Sequence, residues 1–326
     1  MISIMKKIII ITGQTATGKT SLALQLAKEK NGELVNFDSR QMYKYLTIIT
    51  GKDIKKNSKF KSQKSKLQLE SKNSYDIGYY KINGINVWLY DAVDPKQNFS
   101  SFDFKELAEV VIEDIQKRNK IPILIGGTYL YLKHLLYGFE TENIPPNWPL
   151  RKKLNKKSLK ELQKLLKSIN YQMFQHLNNS DKNNPQRLIR KIEIATNLNL
   201  PAVQKKSLKP KVQPLTNPTG YVALNLRIYT GLRFASNDKL KVVIKKRVLK
   251  RLQLGAIDEV KSLLDKGYKK TDPGMKTIGY QQIIEYLEKK ISKENAVKKW
   301  ITAEIQYAKR QYTFMKKDEN IVWRLV

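Results

Sequence analysis

Apolar positions follow two different rhythms along the chain. Ile8, Ile9, Ile10 and Ile11 stand in a row, the pattern of a strand buried on both faces rather than half exposed to water. Gly13 to Gly18 breaks that run, and Lys19 to Lys28 brings Leu22, Ala23 and Leu26 to one side at helical spacing. Leu34 to Phe37 predicts a second short strand ending at Asp38, and Ile121 to Ile125 another, running through Gly126 and Gly127 into a helix over Tyr129 to Leu136. Phe104 to Arg118 reads as an amphipathic helix. Tyr79 to Leu89 reads as a hairpin turning at Asn83-Gly84. Buried strands alternating with helices predict an α/β fold with a doubly wound parallel sheet.

Pro145, Pro146 and Pro149 end that alternation, and the pattern beyond them is helical. Ser158 followed by Glu161 forms a capping box ahead of Leu162, Leu165 and Leu166. Asn184-Pro185 supplies an N-cap and a first-turn proline for a helix over Gln186 to Thr196. Pro201 to Pro218 reads as a linker, and Val222 to Tyr229 regains strand character. The remainder is helical, with Gly255 and Gly267 as stops. Lys52 to Lys72 is rich in Lys, Ser, Asn and Gln and reads as a solvated loop. The expected organisation is a core over 1–143, a helical insertion over 144–204 and a return to the core over 205–326.

Gly13-Gln14-Thr15-Ala16-Thr17-Gly18-Lys19-Thr20 fits the phosphate-loop pattern, with the required strand before it and helix after it. Glycines let successive N–H groups converge on phosphate oxygens, and the helix N-terminus adds positive potential. Lys19 is placed to reach terminal phosphate oxygens and Thr20 to ligate Mg2+. The sheet is therefore expected to be of the P-loop NTPase type. The loop serves phosphoryl transfer, a nucleotide-driven motor or displacement of a whole diphosphate equally well. Asp38, at a strand end, fits a metal-holding acid, a general base or a plain helix cap. Asp91, after Val87 to Tyr90, competes for the metal-holding role.

Charge narrows the choice of partner. Lys and Arg number 62 against 29 Asp and Glu, a formal charge of +33, which suits a polyanion, although an AT-rich genome would also favour lysine codons. Cysteine is absent, which excludes disulfides and thiolate zinc sites; His134 and His176 are the only histidines and read as structural. Apolar runs are too short for a membrane span, so the expected location is the cytoplasm.

In order and spacing the P-loop, Asp38-Ser39-Arg40-Gln41-Met42-Tyr43, Gly126-Gly127-Thr128, Gln186-Arg187-Leu188-Ile189-Arg190, Ile278-Gly279-Tyr280 and Ala308-Lys309-Arg310-Gln311 together resemble the tRNA dimethylallyltransferases (the IPP transferase family) over nearly the whole chain. The resemblance implies that the loop binds the diphosphate of dimethylallyl diphosphate, with Mg2+ held through Thr20. It also implies that the prenyl group passes to the exocyclic amine of the adenine 3′ of the tRNA anticodon. By matching position, Asp38 would be the general base and Thr128 would stand at the reaction centre. Asp38, Ser39, Arg40, Gln41, Arg151 and Gln186 to Arg190 would contact the anticodon stem-loop. A monomer is expected.

Three departures accompany the resemblance. Gln14 stands where proline is usual, and Tyr90 to Val93 replace paired histidines before Asp94-Pro95. Asn237 and Val243 occupy positions where the family carries arginine, one of which grips the diphosphate; Arg233 and Arg247 lie near, and the role is unassigned. An adenylate isopentenyltransferase, a P-loop kinase of small metabolites or nucleosides, and a non-catalytic RNA-binding protein are the alternatives.

Overall fold

A computed structural model of the protein describes residues 7–54, 58–69, 73–139, 141–198 and 226–326. The isoleucine run forms β1 (Ile8–Gly13), buried throughout. It sits inside an eight-stranded sheet with β2 (Gly32–Asn36), β3 (Lys61–Gln68), β4 (Ser74–Ile82), β5 (Ile85–Trp88), β6 (Ile121–Ile125), β7 (Leu226–Arg233) and β8 (Val322–Leu325), in the order β3-β4-β5-β2-β6-β1-β7-β8. From β5 to β8 all neighbours are parallel, while β3 and β4 add an antiparallel edge. The chain leaves β1 toward β2 on one side and returns as β7 on the other. The C-terminal end of β1 is thus a switch point, where open α/β sheets bind ligands.

Helices α1 (Lys19–Glu29), α2 (Ser101–Lys117) and α3 (Tyr129–Tyr137) follow β1, β5 and β6. α1 buries Ala23 and Ala27 against Ile9, Ile11, Leu34 and Ile123 of the sheet. The Asn83-Gly84 turn has positive φ at both residues, 50° and 82°, as a two-residue hairpin demands. Lys52 to Lys72 departs from its reading as a loop. Within it, 61–68 is β3, paired to β4, and Lys52 is fully buried. An edge strand needs main-chain bonds on one side only and tolerates charged side chains there, so a polar composition does not exclude it. Residues 55–57 and 70–72 of that stretch, the 201–218 linker and 222–225 of the expected strand lie outside the described residues.

The chain divides into two compact units. One comprises Met1–Gln68, Ser74–Tyr137 and Leu215–Val326; the other comprises Leu69–Asn73 and Gly138–Pro214. In the second, α4 (Trp148–Leu154), α5 (Leu159–Ile169), α6 (Tyr171–Gln175), α7 (Asn179–Lys182) and α8 (Pro185–Leu198) pack around Leu154, Leu162, Leu166, Leu188 and Ile192. The capping box forms as Ser158 Oγ accepts the Glu161 N–H and Glu161 accepts the Ser158 N–H. The first unit continues after β7 with α9 (Asn237–Gln253), α10 (Ala256–Asp265), α11 (Tyr280–Leu287) and α12 (Lys293–Met315). No helix among the described residues is long and apolar enough to cross a membrane.

Candidate active site

β1 ends on Gly13, whose φ of +124° is open to glycine, and a Cβ there would meet the Leu232 carbonyl oxygen at 2.1 Å. The loop then folds over itself. Thr17 Oγ1 donates to the Gln14 carbonyl at 2.7 Å, and Lys19 Nζ donates to the Gly13 and Gln14 carbonyls at 3.0 and 2.6 Å. Gly18 in the left-handed region starts α1 and turns that helix's N-terminus on the loop.

Two glutamines brace the loop from outside. Gln311 on α12 accepts the Thr15 N–H at 2.8 Å and donates to the Gly127 carbonyl at 3.1 Å. Gln14 donates to the Ala308 carbonyl at 3.2 Å and accepts the Phe234 N–H at 2.9 Å, bonds for which a proline has no groups. One amide therefore ties the loop to the Gly126-Gly127-Thr128 turn, and the other ties it to β7 and α12.

Asp38 stands just beyond β2 and lines the same cavity of about 830 Å3 as Thr15, Lys19 and Thr20. Its Oδ1 accepts the Arg40 N–H at 3.0 Å, a local cap. No hydrogen bond occupies Oδ2 among the described residues, which leaves an oxygen to act on a ligand. Beside it, Thr128 Oγ1 accepts the Ser39 N–H at 3.0 Å, and the phenol-bearing Tyr307 lines the cavity. Burial pushes that phenol up from its ordinary pKa, and the Asp38 charge pushes it further, so Tyr307 stays neutral. Asp91 has other partners: it pairs with Lys52 and accepts the Tyr80 phenol at 2.6 Å. Of the two acids weighed from sequence, Asp38 alone faces the cavity.

Arginine reaches the loop from α9. Arg247 Nη1 donates to Thr15 Oγ1 at 2.8 Å. Gly51 leaves room for it and for Arg251, since a Cβ there would lie 3.0 and 2.7 Å from their guanidinium nitrogens. Val243, one turn earlier on α9, lines the cavity with an apolar side chain, whereas Asn237 lines a separate cavity with Gln14 and Arg233. Arg233 lies over the Tyr312 ring at 5.2 Å. Lys246, Lys250, Lys276 and Arg310 add further positive charge to the cavity wall. Burial, and then repulsion by Arg247, bring Lys19 down to about 7 against an opposing pull from Asp38.

The residues expected at an RNA surface separate into three kinds. Asp38, Arg40 and Gln41 line the cavity, and Gln41 Nε2 donates to the Thr50 and Gly51 carbonyls at 3.1 and 3.0 Å. In the helical unit Gln186 and Arg187 are exposed, Arg187 pairing with Asp181. Leu188 and Ile189, expected to touch RNA, are instead core residues with 0 % and 2 % exposure; the helix periodicity turns them inward. Arg151 and Arg190 both bind the buried Glu193, Arg151 through Nε and Nη2 at 2.9 and 2.7 Å. That pairing holds the Glu193 carboxyl below its usual range despite burial. The sequence left Arg233 and Arg247 as equal neighbours of the unassigned role, and gave no sign of Tyr307 or the glutamine braces. Gln311 was visible within a quoted motif, but its partners lie hundreds of residues away.

A phosphate loop at a sheet switch point, facing a half-buried carboxylate and an arginine, defines a P-loop enzyme that handles a diphosphate or triphosphate group. The sequence model of the IPP transferase family matches residues 74–318, and that of isopentenyl transferase matches residues 6–101. The chain belongs to the IPP transferase family. It is 32% identical over 323 residues to a tRNA dimethylallyltransferase of Acetivibrio thermocellus, covering 98% of this chain and 91% of that one. With the tRNA dimethylallyltransferase of Endomicrobium trichonymphae it shares 35% identity over 315 residues, covering 96% and 93%. The crystal structure of a tRNA isopentenylpyrophosphate transferase from Bacillus halodurans is similar at a TM-score of 0.63 and 27% identity, covering 98% of this chain and 89% of that one.

Proposed function

We propose that the chain transfers a dimethylallyl group from dimethylallyl diphosphate to N6 of the adenine 3′ of a tRNA anticodon, releasing diphosphate and N6-isopentenyladenosine. One observation carries the reading: Lys19 and Arg247 converge with the Asp38 carboxylate on a single cavity. The bond from prenyl C1 to the diphosphate oxygen breaks as C1 joins N6, and the amine proton passes to Asp38. Adenine's amine is a weak nucleophile, so removing its proton and neutralising the leaving group must act together. Loop N–H groups, Lys19 and Arg247 take the leaving charge, while Tyr307 lines the wall and Thr128 steadies the backbone after Asp38 by accepting the Ser39 N–H. The acceptor base must leave its stack to enter, which suits an open cavity walled by cations.

Magnesium fits the site, because the Thr20 hydroxyl has no hydrogen-bond partner among the described residues and lines the cavity with Asp38. Thr20 would hold the ion together with diphosphate oxygens, the usual arrangement for Mg2+, and the ion would supply charge neutralisation there. We take the cytoplasm, where tRNA is made, as the place of work. A monomer is the proposed unit.

Incubation with dimethylallyl diphosphate, Mg2+ and unmodified tRNA, followed by mass spectrometry of the digest, tests the reading. Parallel arms offer AMP as acceptor and ATP as donor. Prenylated adenosine from the tRNA arm alone is the expected result; prenyl-AMP or phosphate transfer without it would overturn the assignment.

The lowered pKa of Lys19 has a measurable consequence. At about pH 8 the free protein holds this amine mostly neutral, and a bound diphosphate favours the charged form. Binding is therefore expected to take up about one proton at about pH 8 and almost none at about pH 6, as calorimetry in buffers of different ionisation heat reports. Lys19→Met should abolish the uptake. Gln311→Ala, which frees the Thr15 N–H and the Gly127 carbonyl, is expected to weaken diphosphate binding roughly tenfold with tRNA affinity unchanged. Equal diphosphate affinity in that variant would show that the loop holds its shape without the brace.

A further inference from the structure

Tyr45 combines two features that a residue with only a structural duty in its loop has no reason to combine. Its φ of 66° lies in the left-handed region, where glycine sits freely and a Cβ is crowded. The residue nevertheless stays 50% exposed. The backbone just after it has little freedom to relax, because the Glu259 carboxylate accepts the N–H groups of Thr47, Ile48 and Ile49. Neither burial nor an easy backbone explains a large aromatic side chain at this position.

Its neighbours suggest what the ring is for. The Tyr45 and Tyr268 rings lie 6.2 Å apart at a tilt of 44°. Lys266 Nζ is 4.9 Å from the Tyr45 ring centroid, and Lys96 Nζ is 5.2 Å from that of Tyr268. The Tyr268 phenol donates to Asp94 Oδ2 at 3.0 Å, which fixes that ring's attitude. Both lysines are exposed, and neither forms an ion pair among the described residues. Aromatic rings interleaved with free ammonium groups match the two chemistries of single-stranded RNA, since the rings accept bases and the cations accept phosphates.

We propose that Tyr45 and Tyr268, flanked by Lys96 and Lys266, form a stacking platform for an unpaired base of the RNA partner, with adjacent phosphates on the two lysines. The platform belongs to the same compact unit as the active-site cavity. Tyr45 lies in sequence between Gln41 and Ile48, and Tyr268 precedes Lys276; Arg40, Gln41, Ile48 to Gly51 and Lys276 to Ile278 line that cavity. A strand that delivers one base to the cavity therefore has a second base to park nearby. The proposal rests on the reading of the chain as a tRNA-modifying enzyme.

Tyr45→Gly separates a binding role from a packing role, because glycine relieves the backbone while deleting the ring. Three readouts are taken on the full chain: the thermal midpoint, affinity for inorganic diphosphate, and affinity for an unmodified anticodon stem-loop across a salt series. Tyr45→Gly is expected to be at least as heat-stable as wild type and to bind diphosphate equally well. It should bind the stem-loop about tenfold more weakly with an unchanged salt slope, since stacking releases no counterions. Lys96→Ala with Lys266→Ala should instead flatten the slope by about one to two. Tyr268→Phe, which keeps the ring but loses the phenol bond to Asp94, should cost less affinity than Tyr45→Gly. Wild-type RNA affinity in Tyr45→Gly would overturn the platform, as would a loss of heat stability, which would mark the ring as packing. Failure of the wild-type protein to bind or prenylate the stem-loop would instead bring down the functional reading itself.

Discussion

Asp38→Asn is expected to lower the single-turnover rate of prenyl transfer by about 10²–10⁴-fold, the usual contribution of a positioned general base. The substitution is close to isosteric, and the amide oxygen can still accept the Arg40 N–H that Oδ1 accepts at 3.0 Å, so the loop keeps its shape. What disappears is the second oxygen, which accepts no hydrogen bond among the described residues. Affinity for RNA and for diphosphate should stay within about threefold of wild type, because a base acts in the transition state more than in binding. A side effect follows from charge. Asp38 raises the Lys19 pKa, so the asparagine variant should hold Lys19 still further below about 7 and begin taking up a proton on diphosphate binding at lower pH. A turnover rate equal to wild type would remove Asp38 from the chemistry.

The site depends on parts of the chain that only the fold brings together. Gly13 to Thr20 is local, but its shape is held by Gln311 and by the Gln14 bonds to Ala308 and Phe234. The C-terminal helix α12 is thus part of the phosphate site: it contributes Gln311 as a brace and Tyr307 and Arg310 to the cavity wall. Gln14, a departure from the family's proline, makes two tertiary bonds of its own. Its N–H also donates to the Leu232 carbonyl at 3.0 Å, a bond that proline lacks the hydrogen to form.

What the sequence revealed follows the range of the interactions involved. The buried strand of isoleucines, the phosphate loop and the Asn83-Gly84 hairpin are specified within a few residues, and each was legible. β3 was not, because its stability comes from a ladder to β4 and its composition is that of a solvated segment. The pairing of Arg151 and Arg190 on Glu193 was equally hidden. Position and charge alone mark both as RNA-facing, yet a buried acid on the same helix as Arg190 commits them to holding the helical unit together. Leu188 and Ile189 show the limit of carrying over a whole motif: its residues alternate between surface and core, and only Gln186 and Arg187 remain exposed.

The same limit hid the arginine proposed to meet the diphosphate, and Arg247→Ala tests that proposal. Val243 cannot supply a charge, Asn237 lines a different cavity and Arg233 is engaged with Tyr312, whereas Arg247 touches Thr15 of the loop. Removing a cation aimed at a developing anion typically costs about 10²–10³-fold in turnover, and that is the expected loss here. The variant also carries a second, independent signature. Arg247 is one of the two influences that depress Lys19, so without it the Lys19 pKa must rise above about 7. Proton uptake on diphosphate binding at about pH 8 should then shrink, because more of the free enzyme already carries the charge. Arg247→Lys restores a cation without the planar fork and should recover the pH behaviour more fully than the rate. Wild-type transfer combined with unchanged proton uptake would place Arg247 away from the loop in solution and would return the diphosphate's partner to Lys246, Lys250 or Arg310 on the cavity wall.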